Sequence, residues 1–269
     1  MHSSSVQTQL QQPYPDLRLR SDFVAVEALE GHCLLAASDF HGIVQGLGEA
    51  LRDEGGVAAG RGVIRRIGLP RGEAVVRRCR RGGLARLFLN DSYLFVNRPL
   101  REFRTHVVAY NAGLPVPEPL GVYWQRRGLA FRGALITRAL NARTLKEAIA
   151  ANPSSPTALR EAGIAIHHMH EVGIEHADLN IDNIMVDATR AYLLDFDNAR
   201  IHKKLGRIAR AKNLLRLRRS IRKSGMPDSV FDGIRAGYGA VRIPWWLRVA
   251  YGVKATLGDV TGFSKSKKH

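Results

Sequence analysis

Hydrophobic and polar residues follow two different periods along this chain, and the dominant period changes near its middle. In the first half, apolar residues at helical spacing predict helices over Ser38–Asp53 and Pro99–Ala112. Short apolar runs near glycine or proline predict strands, and these runs are Val63–Ile64, Ala74–Arg77, Leu120–Trp124 and Ala134–Thr137. The first half should therefore be rich in β-structure, with one or two helices.

Beyond Leu140 the helical period dominates. It predicts helices over Thr144–Ala151, Pro156–Val172 and His202–Lys223, while Ile184–Val186 and Tyr192–Leu194 predict two short strands. We therefore predict an α+β chain in three parts: a flexible N-terminal arm (residues 1–21), a smaller β-rich lobe (22–138) and a larger, mainly helical lobe (139–269).

Composition excludes several classes of protein. A hydrophobic share of 45% is enough for a buried core, and no uncharged apolar run approaches the roughly 18 to 20 residues that span a bilayer. The polar segment Met1–Pro15 lacks the apolar stretch of a secretory signal. Cys33 and Cys79 are too few for a disulfide framework or a cysteine-based metal site. We therefore expect a protein of the reducing cytoplasm.

The net charge of +17 is unevenly distributed. About twelve arginines lie between Arg61 and Arg104, and about ten Lys and Arg lie between Ile201 and Ser224 without any acid. This excess indicates an anionic partner. The charge alone does not distinguish between nucleic acid, nucleotide and membrane. Acidic residues gather instead near the centre of the chain: Asp178, Asp182, Asp187, Asp195 and Asp197.

The acidic centre has the spacing H-x-D-x-x-x-x-N, formed by His176, Asp178 and Asn183, and an apolar run then leads into Asp195. Kinases use this spacing for phosphoryl transfer. Asp178 would accept the proton of the acceptor hydroxyl, and Asn183 and Asp195 would supply the oxygen ligands that Mg²⁺ prefers. The plainer interpretation makes Asp178 and Asn183 turn formers and Asp195 a strand cap.

These residues resemble the lipopolysaccharide kinases of Gram-negative bacteria, and in particular the 3-deoxy-D-manno-octulosonic acid (Kdo) kinases among them. The resemblance covers roughly residues 55–225. Its blocks are H-A-D-L-N (176–180) with D-F-D (195–197), V-V-R-R-C-R-R-G-G-L (75–84), G-L-P-V-P (113–117), and Asn213 to Ser220 with Arg216 and Arg219 between them.

The resemblance implies a bilobal protein-kinase-like fold and ATP-dependent phosphorylation of the 4-hydroxyl of a Kdo residue on a lipid A precursor, in lipopolysaccharide core biosynthesis. It also implies roles for individual residues. Asp178 would be the catalytic base, and Asn183 and Asp195 would hold Mg²⁺.

The implied nucleotide site departs from that of ordinary protein kinases. Gly60, Arg61 and Gly62 would be the remnant of the phosphate loop, although G-x-G alone also occurs in simple turns. Arg77 would replace the strand lysine and pair with Glu102, and the neighbouring Arg78 is an alternative.

The implied cofactors are ATP and Mg²⁺, and the implied partners are ATP, a Kdo-containing lipid A precursor and an anionic membrane surface. The expected location is the cytoplasmic face of the bacterial inner membrane, as a peripheral protein. Trp245 and Trp246 would either lie at that interface or pack in a C-terminal helical layer.

Two alternative functions stay open. One is a heptose or other small-molecule sugar kinase of the same fold. The other, of a different class, is a nucleic-acid-binding module on a kinase-like scaffold, which the charge favours. No nucleic acid partner is expected, because the chain has no basic strand interleaved with aromatic residues.

Overall fold

A computed structural model describes residues 23–52, 57–59, 62–79, 97–127, 130–152, 155–241, 243–247 and 251 of the chain. The chain divides into two units, Met1–Leu140 and Asn141–His269. The predicted N-terminal arm (residues 1–21) lies outside the described residues. Among those described, no helix is both long enough and apolar enough to cross a bilayer.

The first unit is built on an antiparallel sheet of seven strands in the order β1-β2-β6-β7-β5-β4-β3. The strands are β1 (Phe23–Ala28), β2 (Gly31–Ala36), β3 (Val57–Ala59), β4 (Gly62–Gly68), β5 (Glu73–Cys79), β6 (Pro119–Arg127) and β7 (Ala130–Arg138). Strands β4 to β7 contain all four apolar runs from which strands were predicted in this half of the chain, so these predictions are confirmed.

Two helices pack on this sheet, α1 (Phe40–Arg52) and α2 (Arg98–Asn111), which confirms both helices predicted in the first half. Helix α1 begins after a short 3-10 turn (Ala37–Asp39) and buries Ile43 and Leu47, which are one turn apart. Helix α2 begins where the Asn97 side chain accepts a hydrogen bond from the Leu100 amide (3.2 Å). The core lies between the helices and the sheet, so α2 holds the side chains of its inner face against β6 and β7.

The hairpin of β1 and β2 was not predicted from the sequence. Its turn consists of Leu29 and Glu30, whose φ angles are +56° and +60°. Two-residue hairpins with two left-handed residues normally use Asn-Gly or Asp-Gly, because most side chains disfavour this backbone. The turn therefore lacks the sequence signal by which such hairpins are recognised.

The second unit is mainly helical. Its helices are α3 (Leu145–Ala151), α4 (Pro156–Glu171), α5 (Arg207–Lys223) and α6 (Asp228–Tyr238). Its short strands are β8 (Arg143–Thr144), β9 (Ile174–Glu175), β10 (Ile184–Val186), β11 (Ala191–Leu193) and β12 (Arg200–Ile201). Strands β11, β10 and β8 form one antiparallel sheet, and β12 pairs with β9.

Helix α5 begins at Arg207, five residues later than the predicted start at His202. The reason lies in the pairing of β12 with β9, which keeps the chain extended to Ile201, and residues 202–206 then connect β12 to the helix. The His202 amide donates to the Gly173 carbonyl (2.9 Å), and the His202 ring contacts the Glu175 carboxylate (2.9 Å). These contacts depend on residues distant in sequence, so a helical period could not reveal them.

Helix α6, which was not predicted as a separate element, approaches α4 closely through glycine. A Cβ atom on Gly163 of α4 would lie 2.0 Å from the Ile234 carbonyl oxygen, and one on Gly237 of α6 would lie 2.0 Å from the Arg160 carbonyl oxygen. Neither contact tolerates a side chain, so the two backbones meet directly. This packing places the hydroxyl of Tyr238, at the end of α6, 2.9 Å from Nδ1 of His170 in α4.

Replacing the turn residues of the first hairpin by Leu29→Asn and Glu30→Gly should stabilise the protein. The replacements suit the left-handed backbone, so a gain of about 1 kcal/mol in the free energy of unfolding is expected. The readout is thermal unfolding of the double variant beside Leu29→Ala with Glu30→Ala, which retains both Cβ atoms. A gain of the same size in the alanine control would contradict this explanation of the turn.

Candidate active site

The candidate catalytic loop connects β9 to β10 and ends in a short 3-10 helix (Ile181–Asn183). Asn180 starts this helix from an extended conformation. Its side-chain oxygen accepts hydrogen bonds from the amides of Asp182 (2.9 Å) and Asn183 (3.0 Å). Asparagine is suited to this capping position. The local sequence therefore fixes the loop's C-terminal end.

His176 is fully buried and holds the loop through hydrogen bonds of its ring. Its Nε2 lies 2.9 Å from the Leu194 carbonyl oxygen, which can only accept, so Nε2 carries the proton. Its Nδ1 accepts from the Asp178 amide (3.1 Å). Burial lowers the pKa of His176, which favours the neutral ring that this arrangement requires.

Asp178, two residues after His176, has an exposed carboxylate. The side-chain nitrogen of Asn180 donates to that carboxylate (3.3 Å), and the side-chain nitrogen of Asn183 donates to the Asp178 carbonyl oxygen (2.9 Å). Because the Asn183 nitrogen is used in this way, its side-chain oxygen is the atom left to face a cation. The backbone of Asp178 is held on both sides while its carboxylate remains accessible.

Asp195 follows β11 and adopts a left-handed backbone with φ of +62°. Asp is one of the few non-glycine residues enriched in this region. The Asp197 amide donates to the Asp195 carboxylate (3.4 Å), and the next side chain, Phe196, is buried with its ring 5.4 Å from the His176 ring. The turn therefore directs Phe196 into the core.

The residue before Asp195 joins the predicted site residues together. The Leu194 amide donates to the Asn183 carbonyl oxygen (2.9 Å), and the Leu194 carbonyl accepts from His176. Strands β10 and β11 continue this link, with Ile184 opposite Leu193. The structure thus brings Asp178, Asn183 and Asp195 into one hydrogen-bonded segment.

Helix α5 anchors the loop through Asn213, a contact that the sequence analysis did not assign. The fully buried Asn213 oxygen accepts from the His176 amide (3.0 Å), and its nitrogen donates to the His176 carbonyl (3.1 Å). The same oxygen lies 3.2 Å from His170 Nε2. One amide side chain thus satisfies both backbone groups of the residue that supports Asp178.

Two further residues of α5 hold the loop. Arg216 donates to the His176 carbonyl oxygen (2.9 Å), and the Ser220 hydroxyl accepts from the Ile181 amide (3.2 Å). With Asn213 they occupy positions i, i+3 and i+7 of one helix face. The available signal was the block Asn213 to Ser220, in which these polar residues recur at helical spacing.

In the first unit, Arg77 of β5 forms an ion pair with Glu102 of α2. Glu102 is only 3% exposed, and the Cys79 thiol lies 3.8 Å from its second oxygen. Arg78, the alternative considered above, points to the other face of the strand, because successive side chains alternate. The cation beside Glu102 is therefore Arg77.

The glycine segment is only partly described. Gly62 is the first residue of β4 and lies opposite Ala59 of β3. Gly60 and Arg61 lie outside the described residues.

Comparison with known proteins identifies relatives over most of the chain. The model of the lipopolysaccharide kinase (Kdo/WaaP) family matches residues 54–238. A 3-deoxy-D-manno-octulosonic acid kinase of Vibrio vulnificus is 33% identical over 195 residues, which cover 68% of this chain and 82% of the relative. A kinase of the same name from Xanthomonas campestris is 38% identical over 178 residues, which cover 64% and 69%.

A solved structure of WaaP in complex with acyl carrier protein is similar in fold. The TM-score is 0.52 with 16% sequence identity, and the match covers 78% of this chain and 91% of that chain. At this identity the likeness concerns the fold alone. It confirms the predicted α+β, protein-kinase-like fold, in agreement with the antiparallel sheet of the first unit and the helices of the second.

His170 should make the stability of the second unit depend on pH. Its Nε2 donates to the Asn213 oxygen and its Nδ1 accepts from the Tyr238 hydroxyl. A proton added at Nδ1 would therefore break the hydrogen bond from Tyr238. Burial is the main cause that lowers the pKa of His170 from 6.5 to about 4. The unfolded chain therefore takes up the proton first, and stability falls as the pH drops from about 6.5 towards 4.

The measurement is urea unfolding between pH 7 and pH 4 for the wild type and His170→Gln. Glutamine cannot titrate but keeps a donor and an acceptor, so the slope should decrease by up to about 1.4 kcal/mol per pH unit. An unchanged slope would show that His170 does not carry the effect.

Proposed function

The chain belongs to the lipopolysaccharide kinase (Kdo/WaaP) family, and from this premise we propose that it transfers the γ-phosphate of ATP to the 4-hydroxyl of a Kdo residue on a lipid A precursor. Family membership makes it a phosphotransferase with an alcohol group as acceptor. The relatives quoted above are named as Kdo kinases, which favours Kdo over heptose. The reaction belongs to lipopolysaccharide core biosynthesis.

The observation that carries the proposal is the loop with its accessible Asp178. We assign Asp178 as the catalytic base, which accepts the proton of the acceptor hydroxyl as the oxygen attacks the γ-phosphate. The carboxylate suits this role because it is exposed while its backbone is fixed by His176 and Asn183. A fixed base needs little rearrangement to reach the hydroxyl.

Asn183 and Asp195 are proposed as the residues that hold Mg²⁺. Their side chains offer an amide oxygen and a carboxylate, the hard oxygen donors that Mg²⁺ prefers, and the Leu194 hydrogen bond keeps their backbones adjacent. Bound there, Mg²⁺ would neutralise charge on the phosphates of ATP.

Arg77 and Glu102 are proposed to contribute to nucleotide binding. Buried Glu102 fixes the orientation of the Arg77 guanidinium, and a guanidinium is a group whose geometry matches phosphate oxygens. We assign Gly60, Arg61 and Gly62 to the segment that covers the phosphates. The first unit would thus serve ATP binding and the second would carry the catalytic loop.

We propose that the protein acts at the cytoplasmic face of the inner membrane, where an amphiphilic acceptor would be met. The net charge of +17 favours an anionic surface. Trp245 and Trp246 are 76% and 47% exposed, which favours an interfacial role over packing in a helical layer.

The direct test of the function is incubation of the purified protein with ATP, MgCl₂ and a Kdo-containing lipid A precursor, followed by mass spectrometry of the lipid. The acceptor should gain one phosphate on the Kdo residue, and a precursor without Kdo should gain none. Phosphate on a heptose acceptor, with none on Kdo, would contradict the proposal and support the heptose alternative.

The assignment of site residues is tested by two variants with different expected defects. Asp178→Asn should lower kcat about a hundredfold or more while ATP binding is retained, because the base acts only in the chemical step. Asp195→Asn should weaken binding of Mg-ATP as well as turnover. Nucleotide binding by calorimetry and turnover of the lipid acceptor separate the two effects.

The matched control is Asp182→Asn, which removes an exposed carboxylate from the same loop and should leave kcat close to that of the wild type. If Asp178→Asn and Asp195→Asn also turn over at normal rates, the assignment of the site is wrong.

A further inference from the structure

Helix α5 carries eight basic residues: Arg207 lies at its first position, Arg216 contacts the loop, and the other six fall into two groups. One group is neutralised within the protein: Arg210 pairs with Glu171, while Arg218 and Arg222 both pair with Asp228 (2.8 and 2.6 Å). The other group consists of Lys212, Arg219 and Lys223, whose side chains make no hydrogen bond or ion pair with any residue that the structure describes. We call this second group the cationic stripe.

Arg219 is the member of the cationic stripe with the greatest need for a partner. Its side chain is half-buried, and its Nε is buried without a hydrogen bond to the described part of the chain. A buried polar nitrogen of a charged group is unfavourable unless it is bonded. The two terminal nitrogens of the same guanidinium are not buried and make no hydrogen bond to the described residues, so an anionic group from another molecule can reach them.

The position of the cationic stripe relates it to the catalytic loop. Arg216 and Ser220 contact the loop at His176 and Ile181, on either side of Asp178. Arg219 follows Arg216 by three residues and immediately precedes Ser220. Lys212 and Lys223 lie four residues before and seven residues after Arg216, so they extend the same side of the helix.

We propose that the cationic stripe binds an anionic group of the acceptor and so contributes to acceptor specificity. The inference rests on the proposed function, since it concerns the substrate of the same site. A guanidinium matches phosphate or carboxylate through paired hydrogen bonds, and lysines at either end add charge without fixed geometry. No acidic residue lies between Ile201 and Ser224 to compete with a bound anion for these cations.

The test measures acceptor and ATP kinetics for Arg219→Gln in the full chain. The KM for the lipid acceptor should rise about tenfold to a hundredfold, while the KM for ATP and kcat stay near those of the wild type. Lys212→Gln and Lys223→Gln should produce smaller increases that diminish as salt is added. Arg219→Lys keeps the charge but loses the paired geometry, so its KM should be intermediate.

Arg222→Gln is the matched control, because its cation belongs to the same helix but is already paired with Asp228. It should leave the KM for the acceptor unchanged. An unchanged KM in Arg219→Gln, or an equal rise in Arg222→Gln, would overturn the proposal. Thermal unfolding of each variant identifies any that fail to fold, in which case Arg219→Lys decides.

The anion has two candidate sources on the acceptor, the phosphates of the lipid A part and the carboxylate of the sugar. With an acceptor whose lipid phosphates have been removed, the effect of Arg219→Gln should disappear in the first case and persist in the second. Either result supports the cationic stripe as an acceptor site. Weaker binding of Arg219→Gln to phosphatidylglycerol vesicles, with normal acceptor KM in detergent micelles, would instead indicate a membrane contact and contradict the proposal.

Direct titration of the protein with the Kdo-containing precursor separates this inference from the proposed function. If the wild type binds the lipid but transfers no phosphate, the proposed reaction fails. Weaker binding by Arg219→Gln than by Arg222→Gln would still uphold the cationic stripe, and equal binding would refute it.

Discussion

The second unit depends on one buried amide, the side chain of Asn213. It satisfies the amide and the carbonyl of His176 and also contacts His170, so helix α5, helix α4 and the loop meet at a single side chain. In a fully buried position each of these groups would cost free energy if left unbonded. The hydrogen-bonding requirement of His176 therefore fixes where the loop lies on the helix.

The remaining site geometry follows from that attachment. Once the His176 backbone is fixed, its ring can donate to the Leu194 carbonyl and accept from the Asp178 amide. Leu194 in turn holds Asn183 through its own amide. A chain of hydrogen bonds thus runs from the core to the backbone amide of Asp178, and each member is placed by the one before it.

The sequence could predict what is local and could not predict what depends on distant contacts. Asp178, Asn183 and Asp195 could be proposed as a site from the sequence because their spacing is set within one loop and one hairpin. Asn213 was only part of a resembling block, since its role depends on a residue 37 positions away. The Leu29–Glu30 turn was missed because its side chains are unusual for its left-handed backbone.

The positioning of the candidate catalytic loop by Asn213 is tested most directly by the single-turnover rate of phosphate transfer by Asn213→Ala, measured at saturating ATP and acceptor well below the melting temperature of the variant. We expect a rate at least about tenfold below that of the wild type with nearly unchanged ATP affinity, because the loop loses its attachment while the nucleotide contacts remain. A folded variant that transfers phosphate at the wild-type rate would contradict it.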